Sequence, residues 1–423
     1  MVKSMRYFIL GSQTELCKAE LKTVLNSDVQ LLFESATVIV TDSTHHDLRG
    51  LQNRLAGLVK TGSVIGELKQ WDLESAAELI AVQAADVAGK NKISFGLSVY
   101  DLGDPSLTRA LEKEVDALGQ EIKKHLKESG RPVRYVKARE PRLSSAVIEM
   151  NGLLASGGEY VLLVAHEKIL IGQTETIQDF RAWEHRDFGR PARNAKAGML
   201  PPKLARMMIN LAGVEPHGAT LLDPFCGSGT VLMEGSLMGF ERLIGSDISE
   251  QAVQDTGRNL DWLTTEFQLQ PPHLDLHTTR AADLPRLLPL TKGESEGVVD
   301  CIVTEVYLGS PRSQPLDESE NKKIEHELIT LYESSFSALK PLLKPHGKAV
   351  VAFPAFKKTG GTWYRLALQP MLTKLGYHIE SQFLYHRADQ LVGRDIVILK
   401  PHSEIGMGQG LRLKGLKSQE PKC

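Results

Sequence analysis

Apolar strand-like segments alternate with helical segments in the first part of the chain. RYFILG (6–11) and ATVIVT (36–41) have the composition of strands, and a helix with one apolar side is predicted over residues 14–25. Residues 1–58 are therefore predicted to form a first, small α/β unit.

A second unit is predicted over residues 59–172, and its clearest element is a helix from Leu107 to Ser129. Gly130 follows where a helix-ending glycine belongs. A strand at 92–100 and a hairpin in YVLLVAHEKILIG are further elements of this unit. The helix carries apolar residues at steps of three and four along one face, at Leu111, Val115, Leu118, Ile122 and Leu126.

The rest of the chain divides into a linker, a large unit and a tail. Residues 173–198 are rich in Arg, Asp and Gly and are interpreted as a polar linker. Strand and helix signals alternate over 199–402, which predicts a mostly parallel sheet with helices on both faces. Residues 403–423 combine several glycines with mixed charges and are expected to be a flexible tail. The predicted fold class is α/β throughout.

Composition narrows the class of protein without deciding its function. Of the 423 residues, 42% are hydrophobic and 24% are charged, which is ordinary for a globular protein. The net charge of -2 means that contact with nucleic acid requires a local basic patch. No window approaches the roughly 20 apolar residues that span a bilayer, and the four cysteines lack metal-ligand spacing. We therefore expect a cytoplasmic protein with no metal site.

The most informative segment is ATLLDPFCGSGTVLMEGSLMGF, residues 219–240. An apolar strand ends at Asp223, and a tight turn with Gly227 and Gly229 leads into a helix. Glycine lets the backbone approach a ligand closely, and α/β folds bind ligands at the carboxyl edge of the sheet. The segment lacks the third glycine of a dinucleotide fingerprint and the lysine of a Walker loop. A carboxylate at Asp223 also suits a cation better than a pyrophosphate.

Two further acids extend this candidate site. Asp247 ends the next predicted strand, in ERLIGSDIS, where α/β folds place an acid that binds ribose hydroxyls. Asp283 lies near a third predicted strand and is either an acceptor for an adenine amino group or an ordinary surface acid. Together these features describe a nucleoside with a cationic amino-acid arm, S-adenosylmethionine. Its predicted contacts are Asp223, Phe225, Gly227, Gly229, Thr230, Asp247, Ile248 and Asp283.

The fourth strand of this unit supplies candidate catalytic residues. VVDCIVTEVYLGSP (298–311) is predicted to be a buried strand that runs into a turn, with Glu305 and Tyr307 at its edge. An exocyclic amine is a poor nucleophile because its lone pair is delocalised into the base, and a carboxylate that accepts its N–H bonds favours the reactive form. An aromatic ring holds the base by stacking. We predict that Glu305 and Tyr307 are catalytic; the alternatives are a solvated acid and a packing aromatic.

A basic strip is the candidate RNA-binding surface. Between Lys123 and Arg142 there are eight basic residues and two acidic ones, so eight minus two leaves a local charge of +6. Such a strip suits phosphate contacts, whereas the plainer interpretation is a solvated face. Arg190 in the linker is expected either to bind phosphate or to pair with a neighbouring acid. The predicted RNA-binding residues are Lys123, Lys124, Lys127, Arg131, Arg134, Lys137, Arg139, Arg142 and Arg190.

These motifs together resemble a known family. LLDPFCGSGT, IGSDIS and TEVYLG are similar to motifs of class I amino-methyltransferases that act on nucleic acids. The run RDFGRPARNAKAGMLPPKLA is typical of far fewer families than these motifs are. With FILGSQTELCKAEL and RPVRYV of the front half, it resembles the THUMP-containing tRNA guanosine N2-methyltransferases, which modify guanosine 10 of tRNA. The likeness extends over residues 6–400.

The resemblance implies a ferredoxin-like N-terminal domain, a THUMP RNA-binding domain and a Rossmann-like domain that methylates the N2 amine of a guanosine in tRNA. It assigns Asp223 to the methionine-binding turn and Glu305 to the (D/N)PPY-type catalytic motif. This sequence has Glu-Val-Tyr-Leu where Asp-Pro-Pro-Tyr is usual, so the carboxylate is one methylene longer. Two alternatives stay open: an amino-methyltransferase acting on ribosomal RNA or on adenine in DNA, and an inactive tRNA-binding protein.

Overall fold

The structure is a computed structural model that describes residues 5–25, 29–42, 47–88, 92–128, 130–137, 140–193, 199–288, 297–316 and 318–402. It contains two large sheets with helices packed on them, which confirms the predicted α/β class. The predicted tail at 403–423 lies outside the described residues, as does Arg139. Within the described ranges, no helix combines the length and the apolarity needed to cross a membrane.

The front half of the chain forms a single eight-stranded sheet. Its strands are β1 (Met5–Leu10), β2 (Gln30–Glu34), β3 (Val38–Asp42), β4 (Leu58–Leu68), β5 (Ile93–Asp101), β6 (Val133–Val136), β7 (Gly157–Ala165) and β8 (Lys168–Ile177). Its helices are α1 (Thr14–Leu25), α2 (Leu48–Arg54), α3 (Leu73–Ala88), α4 (Pro105–Lys127), α5 (Ser145–Met150) and α6 (Leu153–Ser156). The strand order is β2-β3-β1-β4-β8-β7-β5-β6.

Strand β4 joins the two units that were predicted for the front half. It pairs antiparallel with β1 along one edge and with β8 along the other. The boundary predicted between residues 58 and 59 falls at the start of β4, so both units contribute to one continuous sheet. The sequence pattern does not reveal this, because hydrogen bonding between distant strands leaves no local signal.

Helix α4 confirms the helix predicted over 107–129. Asp104 caps its start by accepting a hydrogen bond from the Leu107 N–H at 2.9 Å, and Gly130 follows its end with a φ of 69°. The predicted hairpin is confirmed as β7 and β8, which pair antiparallel. The apolar face of α4 is buried through Leu111, Leu118, Ile122 and Leu126.

The segment predicted as a linker contains regular structure. β8 continues to Ile177, and helix α7 (Phe180–Phe188) follows it, with Asp179 accepting a hydrogen bond from the Ala182 N–H at 2.9 Å. Only Trp183 and Arg186 of α7 are buried. The segment is therefore polar in composition although it is helical, which is why its pattern indicated a linker.

The back half forms the second sheet. Its helices are α8 (Pro202–Leu211), α9 (Thr230–Met238), α10 (Glu250–Glu266), α11 (Glu318–Leu339) and α12 (Leu368–Lys374). Its strands are β9 (Thr220–Asp223), β10 (Arg242–Asp247), β11 (His273–Thr278), β12 (Val299–Glu305), β13 (Leu343–Lys357), β14 (Trp363–Arg365), β15 (Tyr377–Tyr385) and β16 (Val392–Pro401).

The order of this sheet is β11-β10-β9-β12-β13-β16-β15, with β14 beside β13. Strands β9 to β13 run parallel, whereas β16 and β15 are antiparallel additions. The strand order reverses between β9 and β12. In α/β sheets this reversal opens a crevice outside the carboxyl ends of the strands, where ligands bind.

The two halves share one hydrophobic core. Helix α1 packs on α8, and Leu16 and Leu21 belong to the same buried cluster as Leu204. Beside them, the buried Asn210 donates a hydrogen bond from Nδ2 to Glu20 Oε1 at 2.7 Å. The first strands of the chain are therefore anchored directly to the second sheet.

Candidate active site

The turn between β9 and α9 is shaped by two glycines in the left-handed region. Gly227 has a φ of 52° and Gly229 a φ of 83°. A Cβ on Gly229 would lie 2.8 Å from Thr256 Cγ2, so no larger residue fits without a shift. A Cβ on Gly227 would meet nothing within 4 Å. The turn therefore presents bare backbone to an open space, as a tightly bound ligand requires.

Two cavities meet at the carboxyl ends of β9, β10 and β12. The smaller has a volume of about 340 Å³ and includes Met199, Asp223 and Gly227 in its wall. The larger has a volume of about 590 Å³ and includes Asp247, Ile248 and Tyr307. Phe225 and Glu305 line both cavities. The crevice thus has two compartments that join at an aromatic ring and a carboxylate.

Asp223 is a buried carboxylate at the wall of the smaller cavity. Its Oδ1 accepts hydrogen bonds from the Thr304 hydroxyl at 2.6 Å and from the Phe225 N–H at 3.2 Å. Burial, and secondarily the nearby Asp247 and Glu305, raise the pKa of Asp223 to about 7. Among the described residues no cation pairs with it, so a cationic ligand would supply the missing charge.

Asp247 holds the glycine turn as well as lining the larger cavity. Its Oδ2 accepts a hydrogen bond from the Gly227 N–H at 3.0 Å, and its Oδ1 accepts one from the Ser249 N–H at 2.9 Å. Ile248 beside it is largely exposed at the mouth of the cavity. A carboxylate oxygen has room for a second donor, so these contacts leave Asp247 able to accept from sugar hydroxyls.

Asp283 does not lie in the wall of either cavity. Its carboxylate pairs with Arg286 at 3.0 Å and with Arg280 at 3.5 Å. The larger cavity is instead lined in this region by Thr279, Arg280, Ala281 and Ala282. Asp283 thus pairs with two neighbouring arginines, one of which lines the larger cavity, and its contact with adenine stays a prediction.

Glu305 ends β12 at the junction of the two cavities. Arg394 of β16 donates a hydrogen bond from Nε to Glu305 Oε1 at 2.7 Å, and the arginine side chain is only 4% exposed. Burial raises the pKa of Glu305, while the charge of Arg394 opposes that rise. Sequence reasoning missed this partner. Its one signal was an arginine inside the apolar stretch VGRDIVILK, where a buried charge requires a counter-charge.

Tyr307 lies two residues beyond Glu305 with its side chain half exposed at the larger cavity. Its backbone carbonyl accepts a hydrogen bond from the Tyr332 hydroxyl of α11 at 2.6 Å. This bond fixes the backbone of the loop while it leaves the Tyr307 ring open to a partner. The structure thus brings both predicted catalytic residues to the crevice.

Arg190 is buried and does not lie on a surface that phosphate could reach. Its side chain donates a hydrogen bond from Nη1 to the Thr230 hydroxyl at 2.6 Å, at the first residue of α9. Burial lowers the pKa of its guanidinium to about 10. Of the two predicted roles the structure favours pairing with a neighbouring acid, since Arg190 Nη2 lies 3.8 Å from Asp187 Oδ1, and burial keeps the guanidinium from phosphate.

A second contact binds the same segment to the glycine turn. The buried Asn259 of α10 accepts a hydrogen bond from the Ala192 N–H at 2.9 Å and donates to the Ala192 carbonyl at 2.9 Å and to the Ser228 carbonyl at 2.8 Å. We call Arg190, Ala192, Asn259 and Thr230 the connector clasp. It was not predicted, and it connects the segment after α7 to the wall of the smaller cavity.

The described part of the basic strip follows the end of α4 and the edge strand β6. Lys124 and Lys137 pair with Glu121 and Asp116 at 2.7 and 2.8 Å on the surface. Such exposed pairs are weak and exchange readily for other partners. The Tyr135 ring stacks on Phe95 with centroids 5.2 Å apart. Five of the strip's side chains are exposed, those of Lys124, Lys127, Arg134, Lys137 and Arg142.

Comparisons with known proteins agree with this geometry. A family model, UPF0020, described as an RMKL-like methyltransferase domain, matches residues 190–360. The tRNA (guanine(10)-N2)-dimethyltransferase of Methanothermobacter thermautotrophicus is 30% identical over 276 residues, which are 63% of this chain and 71% of that protein. The protein of the same name from Methanocaldococcus jannaschii is 34% identical over 157 residues, 37% of this chain and 38% of its own.

A solved structure supports the fold over most of the chain. TrmN from Thermus thermophilus aligns with 94% of this chain and 99% of its own, with a TM-score of 0.52 and 16% identity. The fold, the glycine turn and the matched domain define a Rossmann-like methyltransferase, a class that takes its methyl group from S-adenosylmethionine. More narrowly, the chain belongs to the family of the tRNA (guanine(10)-N2)-dimethyltransferases. The family predicted from the motifs is thereby confirmed.

Proposed function

We propose that this protein methylates the exocyclic N2 amine of a guanosine in tRNA, guanosine 10, in the cytoplasm. Membership of the family supports the reaction and the substrate. The observation that carries the proposal is the position of Glu305, which lines both compartments of the crevice. A carboxylate there is within reach of a methyl donor on one side and of a base on the other.

The crevice residues fit S-adenosylmethionine, which supplies a methyl group on a sulfonium sulfur when bound. In this proposal Asp223 binds the cationic amino-acid arm in the smaller cavity, because its buried carboxylate lacks a cation. The bare backbone at Gly227 allows close approach. Asp247 accepts from the ribose hydroxyls, and Phe225 and Ile248 pack on the adenosine in the larger cavity. Thr230 keeps the turn in place through its bond to Arg190.

Glu305 activates the amine in this proposal. Its carboxylate accepts a hydrogen bond from the guanine N2 amine, which keeps the nitrogen lone pair available to bond to the methyl carbon as the carbon–sulfur bond breaks and sulfur leaves as a neutral thioether with the bonding electrons. The proton that leaves N2 passes to the same carboxylate and from there to water. Tyr307 stacks on the base and holds it in line, since alignment supplies much of the rate of such a displacement.

The front sheet is proposed to deliver the tRNA. The exposed cations of the basic strip lie on α4, on β6 and beside them, in the unit that resembles a THUMP domain. Phosphate contacts from such a strip add affinity that does not depend on sequence. The first strands are anchored directly to the second sheet, and this contact fixes the position of the basic strip relative to the crevice.

The test is a methyl-transfer assay that identifies the product nucleoside. The protein is incubated with an unmodified tRNA transcript and S-adenosylmethionine labelled in its methyl group, and the digested nucleosides are identified by mass. N2-methylated guanosine is the expected product. Methylated adenosine would instead support an adenine amino-methyltransferase, and no transfer despite tRNA binding would support an inactive binding protein.

A further inference from the structure

We propose that Arg394 is a positioning residue that holds the Glu305 carboxylate ionised, with one oxygen bound to the arginine and the other free for the N–H groups of guanine. The inference rests on the proposed function, in which Glu305 accepts from the base. It adds a residue from a distant antiparallel strand to a motif that is otherwise confined to the end of β12.

The sheet register brings the two side chains together across an intervening strand. Glu305 pairs with Ala352 of β13, and Arg394 of β16 pairs with Pro354 of the same strand. Ala352 belongs to the same buried cluster as Val303 and Ile396. Side chains alternate between the faces of a strand, so Glu305 and Arg394 share that face, and the small Ala352 lies between them. The arginine reaches over this small residue to bind Oε1 at 2.7 Å.

The hydrogen bonding of Glu305 leaves half of its carboxylate available. Arg394 contacts Oε1, and among the described residues no hydrogen bond is found for Oε2. The edge of guanine carries two donors side by side, N1–H and the N2 amine, whereas adenine has an acceptor at N1. An ionised carboxylate only accepts, so it matches guanine and opposes adenine. A glutamate side chain is one methylene longer than the aspartate that is usual in this motif, and it can therefore adopt more rotamers. The bond from Arg394 to Oε1 limits that rotational freedom.

Arg394 is the cation that offsets a concentration of negative charge around Glu305. The carboxylates of Asp223 and Asp247 lie at the ends of the neighbouring strands β9 and β10, and the phenol of Tyr307 follows β12. Burial and nearby carboxylates both favour the neutral form of an acid. Without the arginine, burial would shift Glu305 further toward its protonated form, which presents a donor where the base needs an acceptor.

Two substitutions test the pair through the pH dependence of turnover. Arg394→Met removes the charge with little change in length, and Arg394→Lys retains a cation as the matched control. Without the arginine, burial favours the neutral form of the carboxyl, so the turnover of R394M should fall by at least about tenfold at pH 7 and recover as the pH rises to 9. Over the same range wild type and R394K should change by less than about threefold. The KM for S-adenosylmethionine should stay within about twofold of wild type in both. An R394M turnover that is reduced equally at every pH would overturn the proposal.

A second measurement, of thermal stability, does not require the protein to be enzymatically active. In R394M the pKa of the folded-state Glu305 lies above its unfolded value, so its burial opposes folding once the carboxyl ionises, and stability is lost as the pH rises. The melting temperature of R394M should therefore drop between pH 6 and pH 9 by about 2 °C or more relative to the R394M/E305Q double variant. Equal pH dependence in the two would overturn the pairing.

If wild type methylates no tRNA, the proposed function fails while this comparison still decides the role of Arg394. Should R394M not fold, R394Q against R394Q/E305Q gives the same comparison, with a smaller expected difference because the glutamine amide can still donate a hydrogen bond to Glu305.

Discussion

Asp223 lies buried at the end of β9, and burial raises the pKa of its carboxyl to about 7. Only the ionised form attracts a cation, so donor affinity should increase with pH. With a pKa of about 7, the ionised fraction grows roughly tenfold between pH 6 and pH 8. We predict a matching gain in the affinity for S-adenosylmethionine, measured by calorimetry at both pH values.

Asp223→Asn is the control for that prediction. Asparagine has the same shape and still accepts from Thr304, which bonds Oδ1 in the native protein. Its donor affinity should be weaker than that of the wild type and should not change between pH 6 and pH 8. A wild-type affinity that is equally flat would remove Asp223 from donor binding.

Glu305 gives the second prediction for a single residue. Glu305→Gln keeps the size of the side chain but turns one of its oxygens into a donor group, so it no longer accepts the amine proton. Loss of general-base catalysis typically costs about 10²–10⁴ in rate. We expect kcat to fall by that factor while the donor Kd changes by less than about twofold. Single-turnover kinetics and equilibrium binding measure the two quantities separately, and an unchanged kcat would contradict the assignment.

The positions of some site residues could be predicted from the order in which strands and turns follow one another along the chain. Asp223 and Asp247 end successive strands and Gly227 lies in the turn that follows the first of them, so their meeting at one edge of a parallel sheet was predictable. Arg394 was not, because β16 returns antiparallel and reaches Glu305 from a remote part of the chain. For Arg190 the sequence left phosphate binding and pairing with a neighbouring acid open, because it does not show that the side chain is buried against Thr230 and Asp187.

The connector clasp acts on one structural element, the glycine turn. Asn259 alone makes three hydrogen bonds, two to Ala192 and one to Ser228. The left-handed residues of the turn keep their positions only if surrounding contacts hold them. The clasp therefore maintains the backbone at Gly227 and Gly229 in the shape that the donor needs.

Asn259→Ala should loosen that turn. Each buried hydrogen bond contributes about 1 kcal/mol, so we expect the KM for S-adenosylmethionine to rise by roughly 5- to 50-fold, with kcat at saturating donor within about threefold. Asn259→Asp is the second variant: it keeps the acceptor for the Ala192 N–H but directs an oxygen at the Ala192 and Ser228 carbonyls, so it should raise the KM at least as much as Asn259→Ala. A loss of thermal stability with an unchanged donor KM would show that the clasp serves the fold alone.

The elements themselves were largely predictable, and the exceptions have a physical cause. Helix α4 and the β7–β8 hairpin follow from strong apolar periodicity and a turn. Helix α7 was missed because only two of its residues are buried, which leaves almost no periodic signal. When a helix has little buried surface, helix propensity alone predicts it poorly.

On the scale of the whole molecule, the chain is nearly neutral, so the proposed contact with tRNA requires a local concentration of positive charge. The basic strip lies on the front sheet, while the crevice lies in the back half, and the shared core between α1 and α8 joins them. That sharing was not visible in the sequence, because the two helices are distant in the chain and each is amphipathic by itself. We therefore expect a tRNA to contact both surfaces without a change in their relative position.

Replacing Lys123, Lys124 and Lys127 of α4 with glutamine should weaken tRNA binding and its salt dependence together. Removing up to three phosphate contacts should reduce the slope of log Kd against log salt by roughly 2 to 3. A control triple variant replaces Lys344, Lys348 and Lys400, which lie at the amino edge of the second sheet, away from the crevice. Fluorescence anisotropy at several salt concentrations measures both, and equal slopes in the two variants would contradict the strip as an RNA surface.

The central claim is that the N2 amine of guanosine 10 receives the methyl group. The most direct measurement compares methyl incorporation into two tRNA transcripts, one natural and one in which guanosine 10 is replaced with inosine, which lacks only the 2-amino group. The account predicts incorporation into the first transcript and none into the second, with equal binding of both. Equal incorporation into the inosine transcript would contradict it.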